Sequence, residues 1–167
     1  SREPPAFEDI YEAHFDFVWS CVRRLGVAPP ATDDAVQEVF IVVHRKLPEF
    51  EHRSSLRTWL YGIAQRVVQQ HRRRAKRKPE APLTASIDER LKTDTSDGPH
   101  ARTASKEAAS LLRCFLDELP DEQRVVFVGA EIEGLSAPEL AEATGTRLNT
   151  VYSRLRLARA AFERCVE

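Results

Sequence analysis

Apolar residues recur at intervals of three and four through most of the chain, and no stretch alternates with the period of two that a strand requires. The first run, residues 7–25, lines up Phe7, Ile10, Tyr11, Phe15, Val18, Val22 and Leu25 on one stripe, and Gly26 with Pro29-Pro30 stops it. A second helix is expected from Thr32 or Asp33, with acids at the positive end of its dipole. It turns Val36, Val39, Phe40, Val43 and Leu47 inward, ends at Pro48, and carries Asp34, Gln37, Glu38 and Arg45 on its opposite face. A third, capped by Ser54 or Ser55, packs Leu56, Leu60, Ile63 and Val67 inward. Arg57, Trp59 in part, Tyr61, Arg66, Gln70 and His71 are left on its other faces. It runs out through Arg72-Arg73-Arg74-Ala75-Lys76-Arg77-Lys78 to Pro79.

The periodicity lapses over residues 79–104, where proline, serine, threonine and aspartate dominate. This reads as a flexible linker with at most a helical stub at 87–91. Beyond it a helix over 105–119 uses Ala108, Leu111, Leu112, Phe115 and Leu119. Pro120 opens another, which reaches about Ile132 with Val125, Val126 and Val128 inside and ends at Gly134. Then Ser136-Ala137-Pro138-Glu139 spells a capping box with proline in the first turn, and Gly145 supplies a left-handed helix end. Asn149 is the expected N-cap of a last helix with Val151, Leu155, Ala158 and Phe162 inward and Tyr152, Ser153, Arg154, Arg156 and Arg159 on other faces. A short capped helix, a glycine turn and a longer helix with an arginine-bearing front half make a helix-turn-helix, whose second helix enters the DNA major groove. An ordinary helical hairpin with solvated arginines is the plainer alternative.

The fold class that follows is all-α: two small helical domains, 1–78 and 105–167, joined by a flexible linker, 79–104, with the helix-turn-helix in the second. At 167 residues, 42% hydrophobic and 31% charged, the composition is that of a globular protein. The net charge of −1 gives no overall pull towards nucleic acid, so any such binding rests on local patches. The densest basic run is 66–78. No apolar stretch approaches a membrane span and no signal peptide is visible. The chain opens on Ser1 and holds no methionine, so the native start is expected outside it. Cys21, Cys114 and Cys165 are isolated, lack zinc-site spacing, and read as core residues of a reducing cytoplasm.

Two separated sets of motifs then coincide. Asp33-Asp34-Ala35-Val36-Gln37-Glu38-Val39-Phe40 is followed by Lys46-Leu47-Pro48-Glu49-Phe50 and Thr58-Trp59-Leu60-Tyr61-Gly62-Ile63-Ala64. Downstream come Leu119-Pro120-Asp121-Glu122-Gln123-Arg124, Glu133-Gly134-Leu135-Ser136, Glu139-Leu140-Ala141, Asn149-Thr150-Val151-Tyr152-Ser153-Arg154-Leu155 and Ala158-Arg159. Over nearly the whole chain apart from the linker, this resembles the small two-domain, extracytoplasmic-function sigma factors of bacterial RNA polymerase.

The resemblance implies that Asp34, Gln37 and Glu38 dock on the coiled coil of the polymerase β′ subunit. It implies that the third helix and the loop 51–55 open and read the −10 promoter element through Arg57, Trp59, Tyr61, Arg66, Gln70, Arg73 and Arg74. Aromatic surfaces beside a basic track are what holding an unstacked strand requires. It places contacts to the −35 element at Arg147, Asn149, Thr150, Tyr152, Ser153, Arg154 and Arg156, with Arg154 foremost because arginine can grip guanine with two hydrogen bonds. Partners implied are core polymerase, promoter DNA and an anti-sigma factor, with no cofactor, no metal, no catalysis and no membrane insertion. The linker acids Asp88, Glu89, Asp94 and Asp97 would suit a basic channel or plain disorder. Similar proteins often carry Asn and Asp where Arg66 and Gln70 stand, and a basic residue where Tyr152 stands.

Three rivals make different demands. A stand-alone helix-turn-helix regulator leaves the first domain without a task. A metal-dependent bundle enzyme would need Asp33, Asp34, Glu38 and His44 to converge, which the six-residue spacing of Glu38 and His44 opposes. An adaptor that only docks a partner helix would be insensitive to loss of Arg154.

Overall fold

The computed structural model describes residues 3, 5–77 and 99–167, with side chains of the later segment described from residue 104. The stub expected at 87–91 and the acids Asp88, Glu89, Asp94 and Asp97 lie outside the described residues. Helices α1 (Phe7–Arg24), α2 (Pro29–Lys46) and α3 (Leu56–Arg77) pack pairwise into a bundle. Pro29 and Pro30 start α2 rather than ending α1: both sit in its first turn, where a missing N–H leaves nothing unpaired. Gly26, at φ 106, turns the chain between the two helices. The Ser55 hydroxyl caps α3 by accepting from the Thr58 amide at 3.1 Å.

The second half holds α4 (Pro99–Glu118), α5 (Asp121–Phe127), α6 (Ala137–Thr144) and α7 (Leu148–Val166). α4 begins ahead of the expected residue 105. Of its expected inward residues, Phe115 and Leu119 are buried but Ala108 and Leu111 are exposed, because the front of α4 extends beyond its neighbours. Cys21 is core; Cys114 and Cys165 are exposed, which corrects the expectation of three buried thiols. Cys114 falls between the inward positions Leu112 and Phe115, and Cys165 lies in the last turn of the chain's final helix. After α5 the helix widens into one π turn, Val128–Ile132, closed by the Glu133 amide on the Val128 carbonyl.

The two halves share one continuous apolar core. α3 packs against α6 where Gly62 faces the Ala143 backbone: a β-carbon at Gly62 would stand 2.9 Å from the Ala143 carbonyl oxygen. Gly129, in the π turn, leaves room for Leu140 and the Tyr61 ring in the same way.

Candidate nucleic-acid interface

On α2, Asp34 and Gln37 are exposed, as is Asp33. Glu38, one turn on from Asp34, is already engaged: His71 Nε2 lies 3.1 Å and an Arg74 amino group 3.5 Å from its carboxylate. His44 sits edge-on to the Phe7 ring, 5.0 Å between centroids, away from that cluster. Among the described residues no three His, Cys, Asp or Glu side chains converge on a point where a metal could bind.

α3 has two working faces. Trp59, Arg66, Gln70 and Arg73 recur at helical spacing along one stripe, the last three exposed and Trp59 half-buried. Trp59 lies against Phe50, and Phe50 against His52, with centroids 4.7 and 4.4 Å apart. His52 reaches this stack from a left-handed backbone, φ 57. The loop 51–55 thus extends an aromatic surface from the first turn of a helix whose far end is basic. Arg74, 61% exposed, flanks the stripe.

The other face turns into the second half. Tyr61, expected on an accessible face, is fully buried, and its hydroxyl donates to the Val125 carbonyl. The reason is the α5–α6 segment, which covers this side of α3 and supplies an acceptor that makes a buried phenol tolerable. Burial pushes the Tyr61 hydroxyl pKa well above its ordinary value, so it stays protonated. Arg57 lies 4.8 Å over the Phe17 ring and bonds Glu133 at 2.8 Å. Arg72, part of the basic track expected to meet the strand, instead joins Asp121 at 3.0 Å and the Gly26 carbonyl at 2.8 Å.

In the helix-turn-helix the capping box forms in both directions. The Glu139 amide donates to the Ser136 hydroxyl at 3.2 Å and the Ser136 amide to Glu139 at 3.1 Å. Gly145 takes the left-handed conformation, φ 66. The Thr58 hydroxyl adds a third bond to Glu139 at 2.7 Å. That bond, with those to Ser136, holds the Glu139 carboxyl below its ordinary range. α7 starts two residues earlier than an Asn149 cap requires, at Leu148. Its N-cap is Arg147, with no side-chain bond, so Asn149 is not the cap. Asn149, Ser153 and Arg156 follow one another at helical spacing on the exposed face, Tyr152 beside them is 53% exposed, Arg147 is exposed, and Thr150 is half-buried. Ser153 donates to the Asn149 carbonyl at 3.0 Å. Arg154, the foremost expected contact, lies on the flank, 25% exposed and 3.8 Å from Glu122. Sequence reasoning missed Arg24 and Glu133, which meet at 2.9 Å across the two halves.

The family description Sigma-70 region 2 matches residues 10–78, and Sigma-70, region 4 matches residues 109–162. The first covers α1 to α3 and the second runs from within α4 into α7. The chain is 30% identical over 159 residues to the ECF RNA polymerase sigma factor SigM of Mycobacterium tuberculosis, covering 95% of this chain and 76% of that one. It is 30% identical to the ECF RNA polymerase sigma factor SigW of Bacillus subtilis, covering 95% and 88%. Among solved structures, the sigma factor RpoE in complex with the anti-sigma factor NepR, from Bartonella quintana, matches with a TM-score of 0.73 at 18% identity over 96% of both chains. CnrH in complex with the cytosolic domain of CnrY matches at 0.66 and 22% identity over 96% of this chain and 86% of that one. These likenesses establish the fold, the sequence relatives establish the family, and the chain belongs to the ECF sigma factors of RNA polymerase.

Proposed function

We propose that this sigma factor divides its work by half: residues 1–78 dock on core polymerase and take the −10 element, and residues 105–167 take the −35 element. The observation that carries this reading is the exposed stripe of α3, where Trp59 with its Phe50 and His52 neighbours leads into Arg66, Gln70 and Arg73. An aromatic platform continuous with a line of cations suits a single strand held by stacking and by its phosphates. Arg74 sits at the edge of that line, and Arg57 and Tyr61 lie on the inner face, so these last two join only when the halves part. Asp34 and Gln37 form the accessible part of the polymerase surface, and Glu38 contributes after exchanging His71 and Arg74 for arginines of the partner. On α7 the outward line Asn149, Ser153 and Arg156 addresses the groove, with Arg147, Thr150 and Tyr152 beside it and Arg154 at its edge.

The factor acts by binding alone, as the family's non-enzymatic role in initiation implies, and needs no cofactor. Among the described residues no helix is long and apolar enough to cross a membrane. Action on polymerase places it in the cytoplasm. That both solved relatives were caught in complexes, one with an anti-sigma factor, supports control by an anti-sigma partner here.

Run-off transcription with purified core polymerase on a pool of promoter fragments tests the assignment. Promoter-dependent transcripts are expected, and they should fall at least about fivefold with Arg156→Ala or Arg154→Ala, a loss of roughly 1–3 kcal/mol in recognition. Asp34→Ala should weaken association with core polymerase and leave folding intact. No stimulation together with no association would bring the stand-alone regulator to the front.

A further inference from the structure

Glu133 follows the π turn, and its side chain is 5% exposed. Arg24, from the end of α1, reaches one carboxylate oxygen at 2.9 Å, and Arg57, from the first turn of α3, reaches the other at 2.8 Å. Both arginines belong to the first half and the carboxylate to the second. One residue on in the same turn, the Thr58 hydroxyl donates to Glu139 at 2.7 Å. Two guanidinium groups and a hydroxyl thus converge along the start of α3, and each holds an acid supplied by the helix-turn-helix half. Planar guanidinium pairs that grip a carboxylate from two sides match a phosphate equally well. The arginines remain 40% and 49% exposed at their outer edges, so the site opens to the surface once Glu133 leaves.

We propose that Arg24, Arg57 and Thr58 form a phosphate-binding site for the backbone of a single DNA strand, and that Glu133, helped by Glu139, occupies this site as an internal phosphate mimic while the halves are closed. The proposal rests on the reading of α3 as the strand-binding helix and adds Arg24, on a different helix, to that surface. It makes the closed chain self-inhibited: DNA must displace a buried carboxylate before it gains the site. The apparent affinity of the full chain for a strand is therefore reduced by the fraction of time the halves are closed.

The test uses the full chain, a short fluorescein-labelled oligothymidine strand as probe, anisotropy titrations at several salt concentrations, and small-angle scattering. Glu133→Gln keeps the shape and removes the mimic's charge. Gly62→Ala leaves every charge in place, but its methyl group would stand 2.9 Å from the Ala143 carbonyl oxygen and wedge α3 from α6. Each should expand the chain and tighten probe binding about tenfold, as expected where the competent form is about a tenth of the population. Arg24→Ala in either background should remove most of that gain and lower the log–log salt slope by about 0.7, the value for one phosphate contact on a single strand. An expanded variant that binds the probe no better than the parent overturns the proposal. So does an unchanged salt slope without Arg24, or variants that neither expand nor bind better. If Glu133→Gln does not fold, Gly62→Ala decides alone. Run-off transcription separates this outcome from the underlying reading: if promoter-dependent transcription persists while the probe result fails, the phosphate site falls and the sigma assignment stands. Silence of the parent chain with core polymerase takes both down.

Discussion

Arg124 is fully buried, and all five of its guanidinium hydrogens have acceptors. Nε donates to the Leu116 carbonyl, the terminal nitrogens donate to the carbonyls of Asp117, Leu119 and Leu25, and one of them also reaches Asp121 at 2.7 Å. It ties the carbonyl end of α4 to the start of α5 and to the first half. Burial, then the nearby Arg72 charge, lowers its pKa, with Asp121 opposing. Arg124→Lys offers three donors to five acceptors and should behave nearly as badly as Arg124→Ala. We expect a loss of about 3 kcal/mol or more from stranded buried carbonyls and a broken ion pair, read as a drop in melting temperature of about 10 °C. None of this was legible in the sequence, where Arg124 stands only as the last residue of the motif that begins at Leu119. Glu133 is the sharper case. It stands before a glycine with nothing to mark partners 76 and 109 residues earlier in the chain. Local spacing reports helix faces, and these contacts are fixed only when two halves meet.

At the scale of elements, what depends on neighbours in sequence was readable. The capping box at Ser136 and Glu139 and the left-handed Gly145 follow from residues three to nine positions apart, and both formed. Ser136→Ala should cost about 1 kcal/mol. The substitution removes the hydroxyl that accepts from the Glu139 amide and leaves the Ser136 amide, with its bond to the Glu139 carboxylate, in place. A denaturation midpoint that does not move would show that the Ser136 hydroxyl adds nothing to the stability of α6. Face assignment on α3 was the harder problem. A helix with one buried stripe betrays itself by periodicity, but α3 is covered by its own bundle on one side and by α6 on another. Tyr61 and Gln65 therefore vanish from the surface although neither lies on the Leu60–Ile63–Val67 stripe. The prolines at 29 and 30 misled for a related reason: the same residue ends one helix and starts the next, and only the course of the chain decides.

For the whole molecule, acid should loosen the closure. Burial works against the Asp121 carboxylate, but the Arg124 hydrogen bond with the charges of Arg72, Arg124 and Lys76 outweighs it and holds this carboxyl below its ordinary 3.8. Glu139 likewise lies below its ordinary 4.5. A depressed carboxyl contributes fully above its ordinary value and is lost as pH falls through the lowered one. Melting temperature and the scattering radius should hold from pH 7 to about 5, then show destabilisation and expansion below about 4. A chain as compact and as stable at pH 3 as at pH 7 would remove these two bonds from the closure. The closed form also leaves its two proposed partners unequal access. Asp34 and Gln37 stand open on α2, while Arg57 and Tyr61 are held beneath the second half. On the proposed roles, the factor reaches polymerase with Asp34 and Gln37 of its docking surface open and its strand-binding surface incomplete. Loading then precedes reading, and the free protein does not wander the chromosome as a competitor for the promoters it serves.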